Sequence, residues 1–159
     1  MVGDHAMVMV GSHIAHDCSL GFGVTLANGV VLGGHSQVAD GVVFGGVSAV
    51  HQHVRIGRLA MVAGGAMCAQ DVLPLCLVRG DRARMVGLNR VGLSRAGYDL
   101  PQLSKLTRLW KRLFASGQPL PMALASLDAV ERSLPEVAAW LTFIEHSTRG
   151  ICRYEAQAG

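Results

Sequence analysis

The sequence predicts a parallel β-helix of about four coils followed by a small C-terminal helical domain. Three observations lead there: a glycine excess concentrated before residue 66, a period of six residues through the first half, and helical spacing after Pro74. Glycine supplies 20 of 159 residues, against a usual ~7%. Stepping by six from Val2 through Val8, Ile14 and Leu20 to Val62 and Cys68 meets an apolar residue every time. The residue after each is Gly or Ala except at Met9 and His51, and the residue four places on, from Ala6 to Val72, is always small or β-branched. Neither the helical period of 3.6 nor the strand period of 2 yields a fixed six. A prism with three short faces per coil does. Each hexad is then one face and eighteen residues one coil. The apolar position points inward, its small neighbour fits a tight corner, and the second small position fills the remaining interior. Stacked at the strand spacing, four coils stand roughly 19 Å tall.

The six-residue period ends at Pro74, which assigns residues 1–76 to the β-helix and 77–159 to a connecting segment and a helical domain. Within the latter, Leu103, Leu106, Leu109, Trp110 and Leu113 recur at spacings of three and four, an amphipathic helix over Pro101–Phe114. Gly117, Pro119 and Pro121 break it. Further helices are expected over Met122–Ser133 and Glu136–Glu145, with Pro135 suited to a first helical turn.

A chain of this length buries about 70% of its unfolded surface, so it folds without disulfides or a structural metal. Cys18, Cys68, Cys76 and Cys152 have no paired spacing, which reads as reduced thiols in a cytoplasmic protein. No run of about 18 uncharged apolar residues occurs, so no membrane span is expected. Asp4, His5 and Ser12 interrupt any signal-peptide core. Residues 1–54 contain no Lys or Arg, whereas 55–112 carry a net charge of +8. Such a field at one end of the prism attracts an acidic partner or a phosphate-bearing substrate. Nucleic acid is not expected, because neither an aromatic platform nor a nucleic-acid motif accompanies the charge.

The histidines are not spread evenly. Subtracting multiples of eighteen places His16, His35, His51 and His53 at coil positions 15 to 17, one corner of the prism in successive coils. A solvent-exposed corner has no structural need for imidazole. General-base catalysis at a subunit interface, a shared zinc site and plain polar corner residues all remain open on spacing alone. A three-His zinc site would have to recruit a side chain from another chain. Asp17 beside His16 is suited to orienting an imidazole, although adjacent strand residues point to opposite faces.

The stretches His13-Ile14-Ala15-His16-Asp17-Cys18, Leu26-Ala27-Asn28, Ala49-Val50-His51-Gln52, Ala69-Gln70-Asp71-Val72, Gly87-Leu88-Asn89, Gly92-Leu93-Ser94-Arg95 and Ser147-Thr148-Arg149-Gly150 carry a further signal. Together they resemble the acyl-carrier-protein-dependent UDP-N-acetylglucosamine O-acyltransferases that start lipid A synthesis. The resemblance implies a left-handed β-helix, a homotrimer with active sites between subunits, and no metal or cofactor. It implies transfer of an (R)-3-hydroxyacyl group from acyl carrier protein to the glucosamine 3-hydroxyl of UDP-N-acetylglucosamine. By position, His16 resembles the general base and the Gly34 N–H the oxyanion donor, with His13, Asp17, His35, His51, Gln52, Asn89 and Arg95 as substrate-binding positions. Gly64 falls where the family sets acyl length, and a glycine leaves room for a longer chain; repeat packing alone would also favour a small residue there.

Val91 stands where the family has an acidic residue near the uridine, and Ala96 where a second basic residue is common. Family members also carry coils ahead of the residue matching Val2, with a carboxylate and a lysine that touch the acceptor. The chain is thus expected to match the C-terminal three-fifths of such an enzyme, with reduced activity and solubility. Two other functions remain compatible with the residues: a catalytically silent trimeric module that binds acyl carrier protein or UDP-sugar, and a zinc hydratase of the gamma carbonic anhydrase type.

Overall fold

A computed structural model describes residues 1–155. The first half winds as a parallel β-helix whose strands are two residues long. They are β1 (Met7–Val8), β2 (His13–Ile14), β3 (Ser19–Leu20), β4 (Thr25–Leu26), β5 (Val31–Leu32), β6 (Gln37–Val38), β7 (Val43–Phe44), β8 (Ala49–Val50), β9 (Arg55–Ile56), β10 (Met61–Val62) and β11 (Met67–Cys68). Every third strand stacks on the same face: β1-β4-β7-β10, β2-β5-β8-β11 and β3-β6-β9. The register is the one the period predicts, Leu26 over Phe44 and Phe44 over Val62. Strands this short have almost no stability alone. They hold because each coil donates its N–H groups to the next, as in His13 N–H to Val30 O (2.8 Å) and Val31 N–H to Ser48 O (3.0 Å).

Inside the prism, the aliphatic column from Leu20 to Cys68 and the small column from Val24 to Val72 are buried. Val2 and Val8, in the first coil, remain 52% and 47% exposed, because only one side of that coil is covered. The small residue after the aliphatic one is demanded by coil-to-coil approach. A Cβ on Gly33 would lie 2.7 Å from Gln52 N, and one on Gly57 would collide with Pro74.

The sheet does not end where the six-residue spacing does. Strand β12 (Cys76–Arg79) continues the first face in parallel, with Met61 opposite Leu77, a step of sixteen instead of eighteen. Val50 still pairs with Cys68 at eighteen whereas Ile56 already pairs with Val72 at sixteen, so the shortfall falls on the Ala69-Gln70 turn; Pro74 and Leu75 (φ 68°) form the next corner. Strand β13 (Arg84–Leu88) then folds back antiparallel on β12. The periodic reading missed this hairpin because neither strand keeps the hexad.

Helix α1 (Arg90–Arg95) follows, capped by Asn89, whose side chain accepts from Gly92 N–H. Helix α2 (Leu100–Phe114) buries the five apolar residues that predicted it and starts with a capping box between Asp99 and Gln102. The single helix expected over Met122–Ser133 is instead two, α3 (Leu120–Ala125) and α4 (Ala129–Ser133). Asp128 restarts the chain by accepting from Glu131 N–H at 2.7 Å, a cap that apolar spacing does not reveal. Helix α5 (Pro135–Glu145) has Pro135 in its first turn and buries Trp140 completely.

Trp140 and Asp71 make two of the contacts that fasten this region to the prism. Trp140 Nε1–H donates to Pro74 O at 2.9 Å. Asp71, fully buried, accepts from Arg55 N–H (2.8 Å) and from the Ser147 hydroxyl (2.7 Å). Asp71 and Ile151 also pair as an isolated bridge, so the C-terminal segment closes over the last coil.

All four cysteines are buried free thiols. Burial pushes the Cys76 thiol up to about 12 and Cys152 up to about 11, and raises Cys68 as well. Since the thiolate is the reactive form, the native protein should leave a disulfide reagent such as DTNB unreacted over minutes at pH 8. In guanidinium the four thiols should react at once; fast labelling of the native form would show that the prism opens.

Candidate active site

Each corner of the prism turns through two residues, the second with positive φ. That conformation costs a non-glycine residue about 1–2 kcal/mol. At one corner the second positions are His5, Gly23, Gly41 and Leu59; at another, Gly11, Gly29, Val47 and Gly65. At the third they are Asp17 (φ 57°), His35 (φ 59°) and His53 (φ 64°), with no glycine. Asp and His tolerate this region better than most residues, yet a strained column without glycine marks a corner where side chains are needed.

The first turn residues of that corner are His16, Gly34 and Gln52. His16 Nδ1 lies 2.9 Å from Asp17 Oδ2, so the adjacent pair does meet. Strand alternation, which would turn neighbours to opposite faces, does not apply because both sit in the turn. His35 Nε2 approaches the same oxygen at 3.9 Å. The His16 and His35 rings meet edge to face with centroids 5.0 Å apart, and His35 and His53 stack 4.7 Å apart at an interplanar angle of 4°. The hydrogen bond from His16, reinforced by the charge of His35, holds the Asp17 carboxyl below the usual carboxylate range.

Gly34 is buried beneath the His16 ring. A Cβ there would stand 2.8 Å from His16 Nε2, so the glycine seats the imidazole. Among the described residues the Gly34 N–H donates to no other backbone group, while its carbonyl accepts from His53 N–H at 3.0 Å.

The four-histidine stack expected at this corner contains three. His51 occupies the position before the turn, above Gly33 instead of His16, and its Nδ1 faces Gln52 O at 3.2 Å. One residue of offset is enough to rotate it out of the column. His13, on β2, is exposed. His146, at the end of α5, had no periodic signal, yet it joins His35, His53, Arg55, Thr142 and Thr148 around an open cleft of about 730 Å³ beside the stack. Arg55 is fixed there by its bond to His146 O (3.0 Å) and by its position 4.6 Å over the Phe143 ring.

Other expected site residues lie elsewhere on the chain. Gly64 is the first turn residue of the corner that holds Asn28 and Gly46. A Cβ on Gly64 would meet Gly46 O at 3.4 Å and Gly46 N at 3.8 Å, ordinary contact distances, so repeat packing does not require glycine there. Asn89 is buried against the remaining corner, donating to Leu59 O (2.9 Å) and accepting from Gly92 N–H (3.0 Å). Arg95 is exposed in the last turn of α1. The expected residues are therefore distributed over all three corners of one prism.

The sequence profile of the family Udp N-acetylglucosamine O-acyltransferase, Domain 2, matches residues 71–152. The acyl-(acyl-carrier-protein)–UDP-N-acetylglucosamine O-acyltransferase of Anaeromyxobacter sp. (strain K) is 41% identical over 152 residues, 96% of this chain and 59% of its own length. Its counterpart from Campylobacter concisus is 43% identical over 150 residues, 94% of this chain and 56% of its own. Among solved structures, the UDP-N-acetylglucosamine O-acyltransferase of Moraxella catarrhalis RH4 superposes with a TM-score of 0.88 at 34% identity, covering 96% of this chain and 59% of that one. The Arabidopsis UDP-N-acetylglucosamine acyltransferase gives 0.90 at 36% identity, with 96% and 56% covered. The shared fold is a left-handed parallel β-helix followed by helices. The chain spans less than two thirds of the length of these relatives.

Removing the His16 ring should raise the Asp17 carboxyl toward the ordinary carboxylate range, since the His16 hydrogen bond is the largest cause of its depression. Carboxyl-carbon NMR titration of His16→Ala reads this directly. Gly34→Ala should move it the same way by pushing the ring aside; an unmoved midpoint in both would mean that the two groups are not bonded.

Proposed function

The chain belongs to the UDP-N-acetylglucosamine O-acyltransferase family, and we propose that it carries that family's chemistry. In this reading it moves an (R)-3-hydroxyacyl chain from acyl carrier protein to the glucosamine 3-hydroxyl of UDP-N-acetylglucosamine in the cytoplasm, the first step of lipid A biosynthesis. The observation that carries the proposal is the His16–Asp17 pair seated over Gly34.

With its Nδ1–H given to Asp17, the His16 imidazole presents a bare Nε2. That nitrogen takes the proton of the sugar hydroxyl as its oxygen attacks the thioester carbonyl. Asp17 holds the tautomer and stabilises the imidazolium that forms. The tetrahedral oxyanion faces the Gly34 N–H, a preorganised donor that gains strength as charge develops. Collapse expels the carrier thiolate, which recovers the proton from His16 Nε2. Bonds and protons balance with no cofactor. His13, His35, His51, Gln52, Asn89 and Arg95 are assigned to substrate binding.

The spread of these residues over three corners supports a homotrimer. Side by side, three prisms bring unlike corners together, so Gly64 and Asn89 of neighbouring chains face the His16 seam. The exposed cations of α2, Lys105, Arg108 and Lys111, suit an acidic carrier protein.

His16→Ala should lower kcat in a mass-spectrometric transfer assay by about 10²–10⁴ while leaving UDP-N-acetylglucosamine binding by calorimetry in place. An undiminished rate would exclude His16 as the base, and binding without turnover in the unsubstituted protein would favour the silent module. Gly64→Met should leave the melting temperature near its starting value and shift donor preference toward shorter acyl chains, read by competition between carrier proteins of different acyl length.

A further inference from the structure

The His16 corner has a second chemistry that acyl transfer does not use. His16 Nδ1, His35 Nε2 and an Asp17 carboxylate oxygen form an exposed group whose ligand atoms all lie within 4.8 Å of one another. Two of the separations, 2.9 and 3.9 Å, bracket the roughly 3.4 Å edge between ligands about 2.1 Å from a tetrahedral zinc ion. Two imidazoles and one carboxylate are a recognised donor set for zinc and other late first-row divalent ions. Spacing alone did not settle this set, because it left the side on which Asp17 falls open and asked a three-histidine site to recruit a side chain from another chain.

The surroundings hold the donors in place. His53 stacks flat on His35 and fixes its plane, and the His16 ring is seated over Gly34. All three side chains are solvent-exposed, 73%, 67% and 46% for His16, Asp17 and His35, so an ion can reach them and keep water in its remaining positions. His53 lies outside the group.

We propose that His16 Nδ1, Asp17 and His35 Nε2 form an inhibitory site for a divalent first-row transition-metal ion, zinc above all. The inhibition follows from the tautomer and rests on the acyl-transfer reading. An ion on Nδ1 displaces the proton that Asp17 held there, and the neutral ring keeps its single proton on Nε2. A protonated Nε2 has no lone pair to accept the sugar hydroxyl proton, so the base is silenced. Zinc at this corner would thus oppose turnover, the reverse of a hydratase.

The test separates the ion from the reaction. Calorimetry of the metal-free full chain with Zn²⁺, in the absence of any acyl substrate, should give one ion per chain, and Co²⁺ should develop visible absorption on the same protein. His35→Asn and Asp17→Asn should each weaken binding at least about tenfold, whereas His53→Phe, which preserves the stack without a donor, should leave it within about twofold. Absence of binding below millimolar Zn²⁺, binding unaffected by the two Asn substitutions, or loss of binding in His53→Phe would each overturn the site. In the transfer assay, Zn²⁺ should lower kcat and EDTA should restore it; Zn²⁺ bound with turnover unchanged would overturn the inhibitory role. A metal-free protein that binds Zn²⁺ but never transfers acyl groups would refute the acyl-transfer reading and leave the site standing.

Discussion

Everything in the first half of this molecule depends on one constraint, the hydrogen-bonded translation of each coil onto the next. Gly21 N–H bonds to Val38 O at 2.8 Å, Gly33 N–H to Val50 O at 2.9 Å and Gly45 N–H to Val62 O at 2.8 Å. With the backbone paired this way, every residue stands over the one a coil away, and side chains fall into columns. A column that faces inward must be small or β-branched to fill the prism, and from Val24 to Val72 those positions, the hydrogen-bonded Ser36 and Ser48 among them, are buried. Where coils approach most closely, as at Gly33 and Gly57, a Cβ would collide with the next coil and glycine occurs.

The same translation makes a site out of single residues. Consecutive coils bring one side chain each to a shared corner at the strand spacing, close enough for imidazoles to touch and for a carboxylate to reach two of them. The positive φ of Asp17, His35 and His53 is the structural expense of that arrangement. Glycine at these positions would relax the turn, as it does at Gly23, Gly41, Gly11 and Gly29. Strain held at a functional place is a recurring pattern, with the surrounding ladder supplying the stability that sustains it.

The helical region is more than a cap. Trp140 reaches Pro74, in the corner that follows the shortened Ala69-Gln70 turn, so the helices close the prism just past the point where its own repeat fails. The buried Asp71, which stands over Arg55 just past the shortened turn, anchors Ser147. That bond sets the C-terminal segment beside the imidazole stack and brings His146 and Arg55 to the cleft. Part of the cationic character noted between residues 55 and 112 is committed locally: Arg112 pairs with Glu131 and Arg58 donates to Tyr98. The exposed cations of α2 remain available.

Much of this was legible in the letters. The hexad determined the coil length, the inward columns, the strand register and the gathering of His16, His35 and His53 at one corner, because those follow from spacing along the chain and spacing is what a sequence records. Helix α2 was legible for the same reason, its apolar stripe being periodic. The tertiary structure alone decided that His16 and Asp17 face each other, that His51 falls outside the stack, that an aperiodic hairpin extends the sheet, that Asp128 divides one helix into two, and that Asn89 packs on another corner than His16. Each of these turns on a side-chain rotamer, a cap or a turn conformation, and such choices are settled by contacts with atoms distant in sequence, which no period encodes.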